Sequence, residues 1–127
     1  MLVLPDPAAT SNEAPEGERR RDESLNLLRA RRAELIRAFT AAALRVALDR
    51  GEVCADDVRP LVTIPPEIDP VFIGVVFKDL AHAGILRPTG IYRRSCRAVA
   101  HARPNPVWRL ADAAGASAAL AALTTTN

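Results

Sequence analysis

Apolar residues recur along the first third of the chain with helical spacing. Leu28, Leu35, Phe39, Ala42 and Val46 follow one another at intervals of seven, four, three and four, so the pattern predicts a helix over Ser24–Arg50. Asp22 or Ser24 supplies an N-cap, and Gly51 stands where a C′ residue belongs. The second half of this segment, AFTAAALRVALD, is apolar nearly all round, and Leu44 and Leu48 lie off the main stripe. That strip calls for a second cover. Either two copies of the chain pair through Leu44 and Leu48 as a homodimer, or the Ala/Leu-rich C-terminal segment folds back over them.

The pattern then changes period several times. Val53 reads as a short strand. Cys54 to Leu61 reads as one or two helical turns, with Asp56 and Asp57 at the positive N-terminal end. Pro65-Pro66 enforces an extended break, and Asp69-Pro70 opens a second clear helix running to Ala83, with Gly84 after it. On that helix Phe72, Ile73, Val76, Phe77, Leu80 and Ala83 share one side, and Val71, Gly74, Lys78 and His82 the other. ILR after Gly84 reads as a strand, PTG as a tight turn, IYRRS as a second strand, CRAVAHARPNP as a loop and VWRLA as a third strand. Strand alternation sets Tyr92 and Arg94 against Arg93, and Trp108 and Leu110 against Val107 and Arg109. Trp108 is expected as a core lid tying this ribbon to the first helix, rather than as a base-stacking platform.

The outer segments lack this periodicity. Residues 1–23 are rich in Pro, Glu and small residues and read as a disordered arm; residues 112–127 read as a flexible Ala-rich tail, because an isolated helix that short is marginal in water. One domain remains between them, residues 24–111. Its order of three helices and an antiparallel ribbon makes the expected class α+β, a winged helix-turn-helix with disordered tails.

Net charge changes this picture only when taken locally. The 127 residues carry 17 basic and 15 acidic side chains, a net +2. Residues 1–79 hold eleven basic against fourteen acidic groups, residues 80–127 six against one, and no acid occurs between Leu80 and Ala111. A charge asymmetry of this kind marks an end that meets nucleic acid or membrane. Arg outnumbers Lys sixteen to one and Ala occurs 24 times, a bias that a GC-rich genome produces by itself.

Arg29, Arg31, Arg32 and Arg37 read as the solvated face of the first helix. For Arg87, Arg93, Arg94, Arg97, Arg103 and Arg109 two readings stand. Acids of the first or second helix fold over them, or a wing lays them along a phosphate backbone. On the second reading the DNA-contacting residues are Arg87, Arg93, Arg94, Arg97, His101 and Arg103 of the wing, with Lys78 and His82 on the second long helix. That helix offers few base-reading side chains, so modest sequence specificity, or partial use for protein contact, is expected.

GEVCADDVR, the Pro-rich spacer, GVVFKDLAHAGILRPTGIYRRS and the closing VWRL together resemble small winged-helix proteins, mostly uncharacterised, that bacteriophages and GC-rich bacteria encode. Asp56-Asp57, Gly74, Gly84-Ile85, Gly90 and Trp108 stand where those proteins carry an acidic pair, a helix glycine, a hairpin signature and a terminal Trp. Ile91 separates Gly90 from Tyr92, which lengthens the first turn by a residue. The resemblance covers about Gly51 to Leu110 and implies double-stranded DNA binding, as a transcription regulator or accessory factor. A protein-interaction module on the same fold, such as a phage-type inhibitor or assembly component, is the alternative.

Catalysis and metal binding find little footing. Cys54, His82, Cys96 and His101 are the candidate nucleophiles and bases. Cys96 has no acid near it in sequence to orient a base, and the four lack the short-spaced pair of a zinc site. No enzyme activity, cofactor or metal is expected. Two cysteines without a CxxC pair read as free thiols of a cytoplasmic protein. No run approaches a membrane helix, and Met1-Leu2-Val3-Leu4 before Pro5 is too short for a secretion signal.

Overall fold

A computed structural model describes residues 16–94 and 104–125, with side chains from Arg21 to Thr124 within those bounds. Among the described residues there are four α-helices and a three-stranded antiparallel sheet: α1 (Glu16–Arg50), β1 (Glu52–Val53), α2 (Ala55–Val58) continued by a 3-10 turn (Arg59–Leu61), α3 (Phe72–His82), β2 (Leu86–Arg94), β3 (Pro104–Leu110) and α4 (Ala113–Thr125). The class is α+β, with one α-helix more than the three expected. The chain divides into two compact units, Met1–Ala33 and Glu34–Asn127. The first contributes the opening turns of α1, where every side chain from Arg21 to Ala33 is exposed, Leu28 included. The second contains the core. Helix α1 begins at Glu16 instead of near Ser24, so residues 16–23 of the expected arm are helical; residues 1–15 lie outside the described part.

The core is built on Phe39, which is fully buried. Its ring meets Phe72 edge-on at 5.5 Å and 89° and Phe77 edge-on at 6.1 Å and 88°. Phe77 in turn stacks flat on Trp108 at 5.9 Å and 3°. The indole therefore ties the ribbon to α3, where the sequence suggested α1. Around this chain of rings pack Leu35, Leu44, Val46, Val53, Val58, Ile73, Val76 and Leu80.

Leu44 is fully buried within the protomer and Leu48 is half-buried against the same cluster, so the strip expected to carry a homodimer is covered at Leu44 and partly covered at Leu48. The C-terminal segment corrects a second expectation. Residues from Ala113 form α4, whose Ala116 is fully buried and whose Ala119, Leu120 and Leu123 pack on the core. Asp112 starts it, accepting the Gly115 N–H on Oδ1 at 2.9 Å and the Ala116 N–H on its carbonyl at 2.9 Å. A helix too short to stand in water is stable once an apolar face is buried, and that tertiary contact is invisible to a local helix estimate.

The strand order is β1-β3-β2. Leu86, Arg87 and Pro88 face Leu110, Arg109 and Trp108; Tyr92, Arg93 and Arg94 face Pro106, Asn105 and Pro104. Four steps on β2 from Pro88 to Tyr92 thus answer two on β3, and a bulge absorbs the difference. Gly90, at φ +80°, makes the bend. The Thr89 hydroxyl fixes it by donating to the Val107 carbonyl at 2.8 Å and accepting the Ile91 N–H at 3.0 Å. PTG is therefore a bulge inside one long strand, where a turn between two was expected. Beyond the bulge β3 begins at Pro104, inside the expected loop, and residues 95–103 lie outside the described part. The base of β3 is clamped at both helix ends: Leu110 N–H donates to the Gly51 carbonyl and Ala111 N–H to that of Ile85, each at 2.8 Å.

Two stability outcomes follow. Phe39→Ala removes the ring that α1 and α3 share and is expected to cost about 3–5 kcal/mol in urea unfolding. Ending the chain after Asp112 exposes the surface under Ala116, Leu120 and Leu123; a loss of about 2 kcal/mol or more is expected, with a clear drop in melting temperature. A truncated chain as stable as the full one would show that α4 adds nothing to the core.

Candidate nucleic-acid interface

The residues singled out by sequence separate into three groups. Lys78 and His82 lie exposed on α3, on the side opposite the buried Phe72, Ile73, Val76, Phe77 and Leu80. Arg87 and Arg94 lie exposed on β2. Arg97, His101 and Arg103, with Cys96, fall outside the described residues.

Arg93 is exposed too, but its guanidinium is engaged. Nη2 donates to Glu52 Oε1 of β1, and Nη1 donates to Asp57 Oδ2 of α2 at 3.2 Å. Of the two readings of the arginine cluster, acids folded over it hold for this residue. Asp57 is the organiser. Its Oδ2 also accepts the Cys54 N–H at 3.0 Å, which caps α2, and its Oδ1 accepts from Arg50 Nη1 at 3.4 Å. One carboxylate thus joins the end of α1, the start of α2 and the ribbon. These pairs are partly open to water, with Arg93 42% and Glu52 45% exposed, so each is worth no more than about 1 kcal/mol. Their role is to position Arg93.

The network shifts two groups. Burial lowers the affinity of Arg93 for its proton, but the charges of Cys54, Asp57 and Glu52 outweigh this and hold the guanidinium above its ordinary value. Burial pushes the Cys54 thiol up, and the Asp57 charge adds to the rise against opposing backbone hydrogen bonds. Cys54 is buried, and Arg93 Nη1 lies 3.8 Å from its sulfur.

On the rest of the ribbon the charges are differently placed. Arg87 stands directly across β2/β3 from Arg109, and Arg109 stands across β1/β3 from Glu52. Glu52 is taken by Arg93. Arg87, Arg94 and Arg109 form no ion pair among the described residues.

Between α2, α3 and β3 lies an open cleft of about 280 Å³. Ile73, Phe77, Pro106 and Trp108 form its apolar walls, and Arg59, Lys78 and Asn105 its polar lining. Arg59 and Asn105 escaped the sequence reading. Arg59 belongs to no motif in the sequence, being one basic residue in a short helical turn. The only signal from Asn105 is its position between two prolines at a strand start. Gly74 completes the lining from α3.

Among the described residues no group of three or more His, Cys, Asp and Glu gathers to hold a metal, and no helix is long and apolar enough to cross a membrane. No family model, curated protein or solved structure matches the chain.

The raised thiol leads to a measurable pH dependence. A group whose pKa is higher folded than unfolded contributes stability that is complete below its unfolded value and is lost as pH rises through the folded one. For Cys54 the loss begins above the ordinary 9.0. In a Cys96→Ser background, Cys54 is expected to react slowly with iodoacetamide at pH 8 and fast in urea, and stability is expected to fall more steeply above pH ~9 than in the matching Cys54→Ala protein. Equal alkylation rates with and without urea would contradict this.

Proposed function

We propose that the chain is a winged-helix protein that binds double-stranded DNA, as a regulator or accessory factor, with α3 facing the groove and the β2–β3 ribbon lying along the backbone as the wing. The order α1, β1, α2, α3, β2, β3 supports this reading, with α4 as an addition to the core. The observation that carries it is the unneutralised ribbon. Like charges directly opposite in a sheet repel, and here Arg87 faces Arg109 while the one neighbouring acid is committed to Arg93. Phosphates of a duplex supply the missing counter-charge in a periodic line. Arg93 leaves the set of expected contacts and becomes a brace for the ribbon, and Arg109 enters it.

Base reading has weaker support. Besides Lys78 and His82, the open face of α3 shows Val71, Val75 and the acid Asp79, which suits backbone contact and low specificity better than a base code. The same observation favours a second reading, in which α3 docks on a protein: Val71 is 61% and Val75 49% exposed.

Mobility-shift titrations against random duplex at several salt concentrations separate the two. If Arg87, Arg94 and Arg109 each neutralise one phosphate, log affinity falls against log salt with a slope of about −2.7. Arg94→Ala is expected to reduce that slope by roughly one and to weaken all sequences alike. Absence of duplex binding at ~50 mM salt would reject the DNA reading and leave the protein partner.

A further inference from the structure

Gly74 has no internal explanation. It is the third residue of the 11-residue α3, in a helical conformation for which glycine is a poorer former than alanine. It is not among the glycines with positive φ, which are Gly51, Gly84 and Gly90. A Cβ built on it meets nothing within 4 Å. Neither backbone shape nor packing within the chain therefore requires glycine here, and the space above it belongs to the cleft. A helix backbone left bare at a cleft wall is suited to close approach by something from outside the chain.

The cleft indicates what that is. Its apolar walls include the flat pair Phe77 and Trp108, stacked at 3°. The exposed cation Lys78 stands on its lining, and among the described residues no acid lines it. Asn105 Nδ2 is enclosed in the wall without a hydrogen-bond partner. Turning this amide over breaks no bond of that nitrogen, and a carboxylate in the cleft supplies the acceptor it lacks. At about 280 Å³ the space is just below the range of drug-sized ligand sites, which begins at about 300 Å³, and so limits the occupant to a small molecule.

We propose that the cleft between α2, α3 and β3 binds a small aromatic carboxylate of one or two rings. The ring lies over Gly74 between Ile73, Phe77, Pro106 and Trp108, and the carboxylate meets Lys78 and Asn105. A phosphodiester has too little apolar surface to use these walls, so the site is distinct from the backbone contacts of the ribbon.

The test uses the full chain, nitrogen-15 labelled and without DNA, so its outcome is independent of duplex binding. The chain's one tryptophan is Trp108, which makes its indole N–H resonance a direct report from the cleft. The probes are 1-naphthoate, indole-3-acetate, the uncharged 1-naphthalenemethanol and inorganic phosphate. The two carboxylates are expected to shift that resonance saturably with Kd below ~1 mM, and more tightly than the alcohol. Gly74→Leu, which fills the cleft from an ordinary helical position, is expected to weaken them at least about tenfold while the circular dichroism is kept. Lys78→Ala is expected to weaken the carboxylates and leave the alcohol unchanged. The proposal is overturned if no carboxylate gives a saturable shift by ~10 mM, or if folded Gly74→Leu binds as tightly as the parent. It is also overturned if phosphate binds as tightly as the carboxylates, since the apolar walls would then play no part.

Discussion

The fold depends on one ring. Phe39 is where α1, the longest element, meets the start and the middle of α3, and through Phe77 and Trp108 the contact reaches the sheet. A chain with five aromatic residues places four of them in this one connected series. Edge-on and stacked ring pairs have preferred geometries, so they fix orientation as well as burying area. The tilt of α3 against α1, and of β3 against α3, is set by them, and the cleft beside Trp108 has its shape for the same reason. Substitutions that keep volume but lose planarity at Phe77 thus act on the site as well as on the core.

A second constraint is electrostatic and small. Asp57 does at one point what a larger protein spreads over many: it caps α2, receives Arg50 from the end of α1 and receives Arg93 from the ribbon. In energy each contact is modest, because water reaches most of the atoms. In geometry the effect is larger. Of the described ribbon arginines Glu52 and Asp57 reach Arg93 and leave Arg87, Arg94 and Arg109 without an ion pair, although the whole protein is close to neutral.

How much of this was readable in advance differs by element. The second half of α1, the start of α3 and the glycines after both helices carry local signals, and those elements stand close to where the periodicity puts them. The paired acids at 56 and 57 likewise announce the short α2. What failed was non-local. Whether the C-terminal segment is a tail or part of the core depends on Ala116, Ala119, Leu120 and Leu123 finding a cluster built mostly from residues far earlier in the chain. Whether PTG turns or bulges depends on the Thr89 hydroxyl finding Val107 across the sheet. Whether an arginine is free depends on which acid folds beneath it, and Arg93 lies 41 residues from Glu52. The cleft is the extreme case: its lining comes from three elements, and only Gly74 hinted at it, by being a glycine with no local reason.

The position of β3 in the middle of the sheet has a consequence for how the chain comes into being. β1 emerges from the ribosome early, yet its partner strand follows 57 residues later, from Glu52 to Arg109. At roughly 5–20 residues per second that interval is about 3–11 s. Through it the nascent chain has α1 and then α3 but no sheet to close them, and Val53 at the edge of β1 has nothing to pair with. Only with β3 made are β1 and β2 joined in one sheet, and Gly51 and Ile85 receive the base of β3. Completion of the sheet is in this sense gated by translation: the strand that holds both of the others is the last of the three to be made.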